Sequence, residues 1–261
     1  MTSSEERQTA AEPRQRLWWN AAFVVLMLGL TALFVALGLW QWQRLAEKEA
    51  LIAAVESRMT RDPSTLPAAA EWPALDSAFY SYRPLTVTGR YQPEQTVLVF
   101  TSLATANGKY SGPGYWVMTP LALAEGGTLF VNRGFVPQQS GPAFADGGAT
   151  PTGLLTLTGI GRASEEAGSF TPGADNSNRI EWVRDTSRLA RLVDPALSPI
   201  APVYLDLPAG DPGALPQGGE TAVEFPNNHL GYALIWFGFA LITPILLAFW
   251  LFRRRTPAAS R

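Results

Sequence analysis

Two stretches of the chain, residues 17–43 and 229–252, carry no charged side chain, and the core of the first, residues 21–40, is almost wholly apolar. At 1.5 Å rise per residue, about 20 apolar residues cross a hydrocarbon core, so both stretches are long enough to span. Each also exceeds the apolar segment of a cleaved signal peptide, typically about 7 to 15 residues, and the first runs into polar helical sequence without a small-residue cleavage site. The pattern predicts two retained membrane helices. Tryptophan and tyrosine fall where interface anchors belong: Trp18 and Trp19, Trp40 and Trp42, then Tyr232, Trp236 and Trp250.

Between the spans the period changes. Residues 43–58, rich in Ala, Glu, Leu and Lys, continue the first span as a helix, with Leu45, Ile52, Val55 and Met59 near helical spacing. Beyond Asp62-Pro63 and Trp72-Pro73, short apolar runs punctuated by Gly and Pro predict strands over 85–91, 96–101, 115–118, 128–132, 154–160 and 203–207. Val97, Val99, Leu129 and Val131 are their expected core positions, and Gly89 marks a bulge or a close backbone approach. Residues 186–193 predict a short helix with Asp185 as its N-cap. The Gly-, Pro- and Ala-rich stretches 138–151 and 208–220 predict flexible surface loops.

The expected fold is therefore a membrane α+β protein. Two transmembrane helices flank a mainly antiparallel β domain, barrel- or sandwich-like, with one or two helices. Arg253, Arg254, Arg255 and Arg261 follow the second span, whereas its upstream flank has Glu220 and Glu224 and no basic residue, which predicts a cytoplasmic C-terminus. With two spans, residues 1–16 and 253–261 become cytoplasmic tails and 44–228 an extracytoplasmic domain.

Composition narrows the chemistry. A formal net charge of −2 and a pI near 5.5 leave no basic footprint for nucleic acid. Cysteine is absent, which excludes disulfides, thiolate ligands, soft-ligand copper delivery and covalent heme attachment. With one histidine, His229, and no hydrolase, phosphate-loop or metalloprotease motif, the chain is expected not to be an enzyme. His229 sits at the mouth of the second span. Two readings of it stay open: a metal or heme ligand, or an interfacial imidazole bonded to solvent or headgroups. If the helix starts there, Tyr232 and Trp236 follow at i+3 and i+7, an aromatic surface for a flat macrocycle, and Asn227 or Asn228 is placed to orient the ring.

Four motifs stand in order: Gly38-Leu39-Trp40-Gln41-Trp42-Gln43-Arg44 with Lys48; Tyr82-Arg83-Pro84-Leu85-Thr86-Val87-Thr88-Gly89; Thr119-Pro120-Leu121 then Val131-Asn132-Arg133-Gly134-Phe135-Val136-Pro137; and Asn227-Asn228-His229-Leu230-Gly231-Tyr232 with Trp236. Together they resemble the Surfeit-locus protein 1 family. That resemblance implies an assembly factor for cytochrome c oxidase that transiently binds heme a and assists its insertion into the catalytic subunit. It also implies contact with the heme a synthesis machinery and, as in bacterial members, residence in the cytoplasmic membrane among its lipids. His229 aligns with the histidine implicated as heme-iron ligand. Phe135 stands where the family usually has tryptophan, and Ile235 where threonine is common. Arg133 is a candidate partner for a heme propionate through its planar fork, or a strand-end residue before a turn glycine. A scaffold that stabilises an oxidase subunit without binding heme, and a membrane-tethered sensor, are the competing functions; tails of 1–16 and 253–261 give a sensor no output domain.

Overall fold

The computed structural model describes residues 5–221 and 227–255, and the chain divides into a helical unit, residues 1–53 with 224–261, and a second unit, residues 54–223. Arg261, Glu224 and the first four residues, used above for orientation and tail boundaries, lie outside the described residues.

In the helical unit, α1 (Glu5–Met59) is one uninterrupted helix that merges the predicted span with the polar extension behind it. No proline occurs between Leu17 and Met59, so no missing backbone donor stops it. The second helix, α4 (His229–Arg255), begins at the histidine itself. Ring contacts run in opposite order along the two: Phe23 meets Trp250 at 4.7 Å, and Phe34 meets Phe239 at 5.5 Å and Trp236 at 5.8 Å. Arg254 also donates to the Asn20 side-chain oxygen, so the helices are antiparallel. At Gly38 a Cβ would lie 2.6 Å from the Phe237 ring, so this glycine lets the two axes approach. Only 6% and 11% of their apolar windows are buried, which separates them from the core helices of a water-soluble domain. Both are long and apolar enough to cross a membrane.

The second unit is a closed barrel. Strands β1 (Pro84–Tyr91), β2 (Val97–Leu103), β3 (Gly112–Leu123), β4 (Thr128–Pro137), β5 (Leu155–Ala163), β6 (Ile180–Glu181) and β7 (Ile200–Asp206) form one sheet in the order β1-β5-β7-β4-β3-β2-β6. Pairing of Gly89 with Leu123 joins β1 to β3 and closes the ring, leaving β2 and β6 as an extension. Closure removes the unpaired edges of the ring. Gly89 sits at the closure because a Cβ there would lie 2.5 Å from the Ala122 carbonyl oxygen. Pairing is antiparallel except β4 with β7 and β2 with β6.

Every ring strand contributes to one core, including Leu85, Val87, Leu121, Leu129, Val131, Val203 and Leu205, with Leu155 and Leu157 packed against it. A second core holds Val97, Val99, Trp116, Phe130, Phe135 and Tyr204 under α3 (Thr186–Leu189), whose cap Asp185 accepts from the Ser187 amide at 2.8 Å. The four expected core valines and leucine are thus buried, but they serve two cores. Because β4 is buried on both faces, Leu129 and Val131 fill the first core and Phe130 the second, and past the irregularity at Arg133 and Gly134 Phe135 joins the second as well.

Loops 138–151 and 208–220 correct the sequence reading of flexible surface. Residues Gln138–Phe144 form a 3₁₀ helix with Gly141 buried, and Gln217 and Glu220 are buried side chains. Gln217 pairs its backbone with Phe135 and its amide with Tyr110, while Glu220 accepts from the amides of Asn107 and Gly108. Gly and Pro set the backbone path here; polar anchors fix it.

Candidate functional site

The imidazole of His229 is presented where the helices meet. Its Nδ1 lies 2.7 Å from Oε1 of Gln41, a buried amide on α1. An amide oxygen only accepts, so Nδ1 is the donor, and in the neutral imidazole Nε2 is then the nitrogen with the lone pair. The expected orienting residues do not take that role. Asn228 instead accepts the Tyr232 amide with its backbone carbonyl at 3.3 Å, and the Asn227 Oδ1 is buried with no hydrogen-bond partner among the described residues. Gln41 was legible in the sequence only as one of two neutral amides, with Gln43, at the end of the uncharged run, but not its partner, which is 188 residues away.

Beside His229 opens a cleft of about 450 Å³ lined by Trp40, Arg44, Glu47, Lys48 and Leu51. These positions recur at helical spacing along one face of α1, so the site is built by two helices and not by α4 alone. The Arg44 guanidinium lies 5.9 Å from the Trp40 ring centroid and donates to Glu47 at 2.8 Å. The predicted aromatic surface is divided. Trp236 stacks on Phe34 at 22° within the helix pair, and Tyr232 is 53% exposed; neither lines the cleft, whose aromatic wall is Trp40.

Arg133 belongs to the barrel unit, where its guanidinium closes a loop. It donates to the carbonyl of Gly147, to Thr150 Oγ1 at 2.6 Å and to the Ala149 carbonyl at 2.8 Å, and it lies 5.6 Å from the Tyr91 ring centroid. Burial depresses the Arg133 pKa below its ordinary value, with Tyr91 opposing, and burial pushes the Tyr91 hydroxyl up to about 12 against the pull of Arg133. The neighbours in the same motif are equally local in their work. Asn132 donates to Asp206 at 2.8 Å and accepts the Gly134 amide, and Gly134 takes φ +127 where a Cβ would strike the Gln217 backbone at 2.3 Å.

Sequence reasoning missed the ion network behind this motif. Buried Asp206 also accepts from Thr221 at 2.9 Å and meets Arg162 at 3.4 Å, while Arg184 grips Glu165 and spans the Trp116 and Tyr204 rings. Burial opposes the Glu165 charge, yet Arg184 holds the carboxyl below its usual range. Each charge has its counter-charge, and among the described residues no cluster of three or more His, Asp or Glu side chains is suited to a metal ion. The barrel's charges brace its structure; the imidazole with an open ring nitrogen stands in the helical unit.

One unit is a closed β-barrel; the other is a pair of long apolar helices in which the sole histidine, on the second helix, is hydrogen-bonded to a glutamine of the first. The chain belongs to the SURF1 family, whose model matches residues 28–241. Its relatives include a SURF1-like protein of Monosiga brevicollis, 32% identical over 98% of this chain and 94% of the relative, and Surfeit locus protein 1 of Homo sapiens, 32% identical over 98% and 84%. Surfeit locus protein 1 of Rattus norvegicus is 30% identical over 98% and 82% of the two chains.

Proposed function

We propose that this protein is a cytochrome c oxidase assembly factor that receives heme a as cargo and assists its insertion into the oxidase's catalytic subunit. It works from the bacterial cytoplasmic membrane, with both termini in the cytoplasm. The observation that carries the reading is the oriented imidazole of His229 beside a cleft walled by Trp40, Leu51 and two basic side chains, Arg44 and Lys48, with Glu47 paired to Arg44. A heme needs three things of a protein: a ligand for iron, a flat apolar surface, and cations for its carboxylates. Here those are His229 Nε2, the Trp40 face, and Arg44 with Lys48. The antiparallel pairing sets Gln41 and His229 at one level, just inside the end of both charge-free stretches, where an apolar macrocycle with acidic edges is at home.

Delivery breaks no bond in the cargo, so the protein's task is to hold and release. A single neutral imidazole bond suits that task, being enough to orient the iron without a second strong ligand on the protein. The test is the visible spectrum of the detergent-purified protein made alongside heme a biosynthesis. A Soret band that His229→Ala abolishes or strongly shifts is expected; wild-type protein without one overturns heme carriage and favours the heme-free scaffold.

A further inference from the structure

We propose that Gln41 is the positioning residue of the heme site, fixing His229 in the tautomer that offers Nε2 to iron. This rests on the heme reading of His229 given above. An imidazole side chain alone in water prefers its proton on Nε2, the wrong nitrogen for a ligand approached from that edge. The Gln41 carbonyl, 2.7 Å from Nδ1, accepts a hydrogen bond only from an N–H at that position, so it reverses that preference before any iron arrives.

The choice of an amide follows from where the residue sits. Gln41 is 9% exposed, within the uncharged run of α1. A carboxylate in its place would orient the ring equally well but would bury an unneutralised charge beside apolar helices. It would also push more electron density through the ring and strengthen the bond to iron. A neutral acceptor gives direction with a modest rise in basicity, the balance a carrier requires if it is to surrender its cargo. Gln41 thus sets both how the iron is met and how firmly it is kept.

The sole histidine makes the test direct. Full-length protein labelled with ¹⁵N-histidine, heme-free in nanodiscs, gives one pair of ring nitrogen signals. In neutral imidazole the wild type is expected to show the Nδ1–H tautomer, and Gln41→Leu to revert to Nε2–H. Titration with heme a should then show affinity weakened about 10- to 100-fold in Gln41→Leu, the usual cost of losing the group that orients a ligand. Gln41→Glu should restore binding and lower the midpoint potential of the bound heme, an effect that mere helix packing would not produce. Wild-type Nε2–H, a tautomer unmoved by Gln41→Leu, or wild-type heme affinity in that variant overturns the positioning role alone. Failure of the wild type to take up heme a, whatever its tautomer, overturns the heme reading and the role of Gln41 in it.

Discussion

Arg133 spends its whole planar fork on the loop at Gly147, Ala149 and Thr150, and its neighbours Asn132 and Gly134 are committed just as locally. Arg133→Lys keeps the charge but not the fork, so it is expected to lower unfolding stability by about 2 to 3 kcal/mol and open residues 145–151 to proteolysis. The heme spectrum of the surviving folded protein should be unchanged; loss of heme without loss of stability would restore the propionate reading of this residue. Tyr91 gives a pH signature. Its native hydroxyl titrates near 12 against about 10 when unfolded, so the folded state holds the proton more tightly. Stability from this group is fully present below pH 10 and is lost as pH rises from 10 to 12, by about 2 to 3 kcal/mol. Urea midpoints measured across that window should fall less steeply for Tyr91→Phe. The residues of both sites were visible as motif members, yet motif spacing says nothing of direction. Only folding shows that Arg133 turns to its own loop, that Trp236 turns to Phe34, and that Trp40 is left to wall the cleft.

At the scale of elements, periodicity located all six predicted strands and the helix capped by Asp185. It misjudged their ends. Strands β3 and β4 run past expectation: Pro120 stays within the ladder opposite Phe130, and β4 continues through an irregularity at Arg133 and Gly134, where the Gln217 backbone crowds in. The two-residue β6 has no period to detect, being a product of Arg179 and Asp175 turning the chain against β2. The helix pair depends on one small residue. Gly38→Leu should drive Phe237 away and part the helices, and the cysteine-free background makes this measurable. A Phe23→Cys, Trp250→Cys pair is expected to be bridged by a short bifunctional maleimide, and several-fold less when Gly38→Leu is added. Equal yields would mean that Gly38 does not govern the approach.

For the molecule as a whole, two antiparallel helices, each long and apolar enough to cross a membrane, would return the chain to the side from which it started. Reporters fused at Arg261 and within residues 138–151 are therefore expected in opposite compartments, the first cytoplasmic because Arg253 and Arg254 close the second span. One compartment for both would discard the two-span arrangement. Sequence could announce the spans, since lipid demands long apolar runs, but not their mutual register, which is decided by packing between residues far apart in the chain. The bond from Gln41 to His229 joins residues 188 apart, and this has a consequence in time as well as in space. A ribosome makes Gln41 188 residues before His229, so a nascent chain halted between them owns only half of the proposed site. Under the proposed function, uptake of cargo therefore waits until α4 has been threaded and seated against α1, and the order of synthesis becomes a control on loading.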